Sequence, residues 1–255
     1  MDRLAYVALS ALSENSAPRQ QLTHEIANIS TVGFKRSFES ATRAYQTTGA
    51  GFNTRILPTS SDYEQISMTP GALMFSGNPL DVAMNDQTVM GVSSTTGDLA
   101  FTRRGDLRVS AAGVLENGAG HPVRGQSGDI TVPAGYTVNI TADGSVYAAS
   151  PNSPKNASQV LVGRIMLRDA SKTPLQRRED GLFTPADKNP NKNADITNGT
   201  VAPSLTIGSL EGSNVSVINV MTKMIDSARS FESNIRFIKE AKNIDEAGAS
   251  MIKGS

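Results

Sequence analysis

The chain has 255 residues, and its 24 Lys and Arg balance 24 Asp and Glu, so the formal net charge is zero. A neutral molecule gives no field-based reason to expect nucleic acid or an anionic membrane as partner. Cysteine and tryptophan are absent and aromatics make up only 5%, which excludes disulfides and thiolate metal sites and suits turn-rich β-structure more than a large enzyme core.

Residues 1–32 read as helical, with one stripe at Leu4, Val7, Ala8, Ala11 and Leu12 and a second at Leu22, Ile26 and Ile29. Pro18 separates them, because an interior proline removes a helix hydrogen bond. Two helical pieces are expected, with Ser16 capping the second. The opening residues Met1–Ser10 superficially resemble a signal peptide. Asp2 offsets Arg3, however, and Ser10 and Ser13 break the short apolar run, so no cleaved signal is expected. The second helix should stop at Gly33, a residue free to take positive φ. Residues 35–69 show weak patterning and read as a linker-like segment.

From 70 to 212 the period changes to two. Turn signals such as Thr96-Gly97-Asp98, Ala112-Gly113 and Asp143-Gly144 separate short runs: Leu80–Met84, Thr88–Val92, Leu107–Val109, Tyr136–Ile140, Val146–Ala148 and Val160–Leu167. This predicts an antiparallel β-rich domain whose ends meet the helical termini. The last stretch, 213–255, carries an apolar seam: Val217, Met221, Met224, Ala228, Phe231, Ile235 and Ile238, continuing to Ile252 with Lys242 and Asp245 as exceptions. Charged rows flank it, as in a coiled coil. At ~1.5 Å per residue the helix would be roughly 55–60 Å long. The expected fold class is therefore α+β: N- and C-terminal helices (1–34 and 213–255) pairing as a coiled-coil stem, with the β-rich domain inserted between them. No run approaches the ~18 apolar residues that span a bilayer, so no membrane insertion is expected.

Catalytic and metal signals are near misses. His24-Glu25 begins an HExxH motif, but Asn28 stands at the second histidine. Residues 187–193 alternate oxygen ligands like an EF-hand loop, but Lys192 replaces the turn glycine and Asn198 the bidentate Glu. Asn117-Gly118-Ala119-Gly120 reads as a hairpin turn and not a phosphate cradle. His121 has no Ser or Cys elbow. Asp169, Glu179 and Asp180 sit beside Arg168, Arg177 and Arg178, a mixed-sign cluster expected on a solvated face. Arg103-Arg104 is too isolated for a nucleic-acid footprint. No catalytic, cofactor-binding or metal residue is expected, and no enzyme.

Several segments resemble the bacterial flagellar rod and hook protein family. Ile26-Ala27-Asn28-Ile29-Ser30-Thr31-Val32-Gly33-Phe34-Lys35 resembles its N-terminal LANxxTxGFK signature, and Ser213-Asn214-Val215, Met224-Ile225 and Arg229-Ser230-Phe231-Glu232-Ser233-Asn234 its closing SNV…MI…RxFExN helix. Asn78–Ala83, Phe101–Leu107 and Ala142–Val146 are similar to segments of its middle. Met1–Tyr6, Val162–Leu167 and Arg178–Phe183 favour the proximal-rod branch; the distal-rod branch is the alternative, and its insertion after the first helix is not evident between 34 and 69. Pro18 and Met90-Gly91-Val92 depart from the pattern. The resemblance implies an axial structural subunit of the basal-body rod, exported by the flagellar type III apparatus without a cleaved signal. It implies polymerisation with itself and with proximal and distal rod proteins. The subunit-interface positions it implies are Leu4, Leu22, Ile26, Asn28, Ile29, Gly33, Phe34, Val217, Met221, Met224, Ala228, Phe231, Ile235 and Ile238. From the residues alone, a coiled-coil-stalked β-domain adhesin or binding module is the competing class, and a hydrolase the third.

Overall fold

The computed structural model describes residues 16–38, 41–46, 56–61, 65–150, 159–186 and 195–253. The chain divides into two compact units, one of Met1–Ala27, Glu39–Tyr63 and Ser216–Ser255, the other of Asn28–Phe38 and Glu64–Val215.

The first unit contains helix α1 (Ser16–Ala27), strands β1 (Ala41–Gln46) and β2 (Ile56–Ser61), and helix α2 (Val217–Lys253). Pro18 lies in the first turn of α1, where a missing N–H breaks no helical hydrogen bond. β1 and β2 pair antiparallel within the stretch that reads as linker-like, with Ala41 opposite Ser61 and Gln46 opposite Ile56. Helix α2 is capped by Ser216, whose Oγ accepts from the Asn219 amide at 3.5 Å and whose carbonyl takes the first helical bond from Val220. Two i,i+4 ion pairs, Glu232–Arg236 and Lys242–Glu246, decorate its exposed surface; pairs of this kind stabilise by only a few tenths of a kcal/mol.

The expected coiled-coil stem is not formed. Helix α1 has 12 residues and α2 has 37, roughly 18 Å against 55 Å. Ile29 of the second N-terminal stripe falls beyond the end of α1, and the first stripe lies outside the described residues. The upper half of the expected α2 seam is open, with Val217 46%, Met221 53% and Met224 42% exposed. The better-covered line of α2 runs through Val220, Lys223 and Ser227, which are not in that seam, before meeting it at Phe231, Ile235 and Ile238 with Asn234 and Ala241 alongside. That line is too polar to be a knobs-into-holes seam. Where the helices do meet, the Arg19 guanidinium sits 5.2 Å from the centroid of the Phe231 ring, a cation–π contact.

Helix α1 also stops six residues before Gly33. Asn28 ends it: its carbonyl accepts from the Thr31 amide at 3.1 Å, and its side-chain oxygen accepts from the Thr31 hydroxyl at 3.2 Å. The carbonyl bond is an i→i+3 turn that replaces the i→i+4 helical pattern, and the side-chain bond holds the turn closed.

The second unit is β-rich and antiparallel. It holds β3 (Leu73–Phe75), β4 (Val82–Met84), β5 (Thr88–Ser93), β6 (Leu99–Thr102), β7 (Leu107–Val109), β8 (Leu115–Asn117), β9 (Arg124–Gly125) and β10 (Gly128–Asp129). It continues with β11 (Thr137–Ile140), β12 (Ser145–Ala149), β13 (Val160–Arg164), β14 (Leu167–Asp169), β15 (Leu175–Arg177), β16 (Phe183–Pro185), β17 (Leu205–Ile207) and β18 (Ser209–Glu211). The largest sheet has the order β14-β5-β6-β16-β15, a second β11-β12-β13, and the rest are two-stranded ribbons, among them β17-β4 and β18-β3. Strand β5 is buried at every position because cores lie on both of its faces. Met90 and Val92 join a cluster with Leu115, Val123, Val146 and Ile165. Val89 joins another with Phe101, Met166, Leu175 and Phe183. Gly91 is small because a Cβ there would lie 3.1 Å from the Met166 sulfur.

Candidate functional site: the junction of the two terminal motifs

The segment after α1 runs into the β unit and is held there at four successive residues. Gly33 has φ +68, and a Cβ would collide with the Arg103 carbonyl, so a residue without a side chain is required twice over. Its amide donates to the Glu211 carbonyl at 2.7 Å. Phe34 is buried, with the Arg177 guanidinium 4.3 Å from its ring centroid, and Arg177 also donates to the Lys35 carbonyl. The Arg36 amide donates to Asn214 Oδ1 at 2.7 Å.

Lys35 leads into a buried ionic triad. Lys35, Arg103 and Glu211 are 0%, 1% and 2% exposed. Lys35 Nζ donates to Glu211 Oε1 at 2.6 Å and to the Thr69 carbonyl at 2.8 Å. Arg103 Nε donates to Glu211 Oε2 at 2.7 Å. Its Nη1 reaches the carbonyls of Asp86 and Thr88 at 2.7 and 2.9 Å, and Nη2 that of Met84 at 2.6 Å. Asp86 sits at φ +47, an unusual conformation for a residue with a side chain. The Gly71 amide completes the set by donating to Glu211 Oε1 at 2.9 Å.

Two cations share one carboxylate, and the protonation preferences follow. Burial, then the adjacent Arg103 charge, holds the Lys35 ammonium below its ordinary range, against the opposing pull of Glu211. Burial alone would raise Glu211, but the Arg103 charge and hydrogen bond, followed by those of Lys35, bring it below its ordinary range. Such a cluster contributes little net stability over an apolar equivalent, yet breaking it is expensive because a charge is left buried without a partner.

Asn214 is the second fastener. Besides accepting from Arg36, its Nδ2 donates to the carbonyls of Ser67 and Thr69 at 2.9 and 3.1 Å, and its amide to the Phe34 carbonyl at 3.2 Å. The incoming segment, the 65–71 stretch and the outgoing segment are thus joined at one place. The arrangement offers no nucleophile or open cation site; what it can do is fix where the chain enters and leaves the β unit.

The sequence-derived interface positions fall into four groups. Leu4 lies outside the described residues. Gly33 and Phe34 are buried in the junction. Leu22 and Ile26 on α1, Asn28 and Ile29 beyond it, and Phe231, Ile235 and Ile238 on α2 are half-buried, while Val217, Met221, Met224 and Ala228 are exposed. Sequence reasoning quoted Lys35, Asn214 and Arg103 inside motifs without giving them roles, and passed over Glu211 altogether. Arg103 is fully buried, and Arg104 pairs with Asp106 at 2.8 Å. Asp169, expected on a solvated face, is buried and accepts from Ser171 and Val201. The EF-hand-like loop 187–193 lies outside the described residues. Among the described residues, no group of three or more His, Asp or Glu is placed to hold a metal ion, and no helix is long and apolar enough to cross a membrane.

Comparison with known proteins gives the junction a setting. Residues 207–251 match the family model described as flagellar basal body rod FlgEFG protein C-terminal, and residues 85–148 the flagellar hook protein FlgE/F/G D1 domain. The flagellar basal-body rod protein FlgF of Escherichia coli (strain K12) is 36% identical over 253 residues, covering 97% of this chain and 96% of that protein. The chain belongs to the FlgF family of flagellar rod proteins. FlgF of Salmonella typhimurium (strain LT2) is 37% identical, with 93% of each chain covered. FlgG of Agrobacterium fabrum is 28% identical over 94% of this chain and 95% of its own. The C-terminal match contains Glu211 and Asn214, so the outgoing half of the junction belongs to the part shared across FlgE, FlgF and FlgG.

Proposed function

We propose that this chain is a structural axial subunit of the proximal part of the bacterial flagellar basal-body rod. The observation that carries the reading is 36–37% identity to two FlgF rod proteins over almost the whole chain. The chain joins neighbouring subunits through its terminal helices and builds the shaft between the motor base and the distal rod. Its partners are copies of itself, other proximal and distal rod proteins, and the flagellar type III apparatus that exports it without a cleaved signal. It works by contact and not by catalysis.

The exposed apolar residues of α2 support the contact mechanism. Ile218, Met221, Ile225 and Phe237 are all more than half exposed, and covering such a side chain stabilises by about 1.5–3 kcal/mol. Subunit contacts that repeat head to tail without closing generate a helical tube. Deleting the chain and imaging purified basal bodies tests the reading. Rods missing beyond their base are expected; rods of normal length in the deletion strain would overturn it.

A further inference from the structure

Strand β3 is apolar and open at every position: Leu73 is 60%, Met74 46% and Phe75 84% exposed. Alternation along a strand puts Leu73 and Phe75 on one face and Met74 on the other, so both faces lack cover. An uncovered apolar strand is a liability that folded proteins manage with charge or proline; residues 66–80 contain no charged residue, and their prolines, Pro70 and Pro79, lie outside β3. The ribbon that presents these side chains is fixed at both ends. At its base the Gly212 amide donates to the Ala72 carbonyl at 2.8 Å. At its tip the amides of Ser76 and Gly77 donate to the Gly208 carbonyl at 2.9 and 3.1 Å, with Gly77 at φ +73 and Gly208 at φ +71. A preorganised surface loses little conformational freedom on binding.

The size of the patch says what kind of contact it makes. An aromatic side chain exposes up to about 200 Å², so the three residues together leave on the order of 400 Å² uncovered. A stable two-body interface needs about 800 Å² per partner. The patch is too small to hold a dimer in solution and suffices as one of several contacts within a polymer. Among the described residues, the start of α2 presents an apolar surface of similar length, the row Ile218, Met221 and Ile225. Residues 212–222 carry no charge, and Ile218 is 79% exposed. Seven helical residues span about 10 Å, comparable to a three-residue strand.

We propose that the β3 ribbon of one subunit docks against the Ile218–Ile225 row of a second copy of this chain, a head-to-tail contact that rests on the rod-subunit reading. The absence of cysteine makes the test clean. Cells co-expressing a Phe75→Cys chain and a separate Ile218→Cys chain are used to isolate basal bodies, which are treated with a short bis-maleimide. Peptide mapping is expected to find positions 75 and 218 of different copies joined, and the Phe75→Cys thiol is expected to react at least tenfold more slowly with maleimide than in the purified monomer. The single Phe75→Cys variant melts with the parent, since the ring is almost uncovered. A thiol at position 75 that reacts equally fast in basal bodies and monomer, or one joined to a different protein, overturns this contact alone. Absence of the parent chain from basal bodies overturns the rod reading and the contact with it.

Discussion

Replacing Glu211 by Gln is the sharpest probe of the junction. The substitution preserves shape, so what changes is charge and donor pattern. Glu211 Oε1 accepts from Lys35 Nζ at 2.6 Å and Gly71 N at 2.9 Å, and Oε2 accepts from Arg103 Nε at 2.7 Å. The site demands an acceptor at both positions. A glutamine offers one oxygen and one NH₂, so in either orientation a donor faces a donor. Two buried cations also lose their only carboxylate. A charge-assisted hydrogen bond contributes about 1.5–3 kcal/mol, and breaking a buried pair costs about 3–5 kcal/mol; the expected loss for Glu211→Gln is therefore about 4 kcal/mol. With an m-value of about 2 kcal/mol/M the urea midpoint should fall by about 2 M. The assay is urea unfolding of the purified chain followed by far-ultraviolet circular dichroism. Asp195→Asn serves as control, because the Arg168–Asp195 pair at 2.7 Å has a partly exposed carboxylate, and its loss should change stability by less than about 1 kcal/mol. A Glu211→Gln midpoint within that same margin would refute the account of the triad. The acid limb gives a second reading. Glu211 is held below its ordinary value of 4.5, so its contribution is complete above that pH and is lost as pH falls through the folded-state value. The parent should lose stability below pH 4.5 more steeply than Glu211→Gln.

Asn214→Ala removes the side-chain bonds to Arg36, Ser67 and Thr69 and should destabilise the β unit by about 2–3 kcal/mol, at about 1 kcal/mol per bond, measured by the same urea titration. Asp143, on the β11–β12 turn, accepts from the hydroxyls of Thr141 and Ser145, and these bonds lower its carboxyl to about 2; a carboxyl NMR titration should find it still ionised at pH 3, while Thr141→Ala should move it back toward 3.8. Ile235→Asp places a charge on a half-buried position of α2; motility and rod assembly should be lost while the β-unit spectrum of the purified chain is unchanged.

How much the sequence disclosed depended on how local each feature is. Strands β5, β7, β11 and β12 were readable because alternation and turn glycines are written in consecutive residues; Gly97, Gly113 and Gly144 adopt the positive φ that their turn signals imply. Strand β3 was missed because Leu73, Met74 and Phe75 are all apolar and do not alternate. The end of α1 was misplaced because Ile29 and Gly33 fit a helical stripe with a C-terminal glycine. The Asn28–Thr31 turn decides otherwise, and Gly33 serves a close approach to Arg103. The coiled-coil stem failed for a related reason: a seam pattern records which residues could meet a partner and cannot say that one is present in the chain. Glu211 was invisible because its partners lie 176 and 108 residues away, a separation that only the fold closes.

The junction also clarifies what the two signature segments are for. They read as contact motifs of the terminal helices, yet Gly33, Phe34, Lys35, Glu211 and Asn214 face one another inside the β unit. Their consequence for the helices is entropic. Along the chain, the end of α1 and the start of α2 are separated by about 190 residues, and a loop of that length is costly to close. With Gly33 bonded to Glu211 the effective separation falls to about 12 residues. Each halving of loop length recovers about 0.6 kcal/mol, so four halvings lower the cost of bringing α1 to α2 by about 2.4 kcal/mol. That exceeds the cation–π contact of Arg19 with Phe231, which is worth about 0.5–1 kcal/mol because Arg19 is exposed. A weak helix contact therefore persists because the β unit supplies its proximity. Ile218, Met221 and Ile225 of α2 stay exposed.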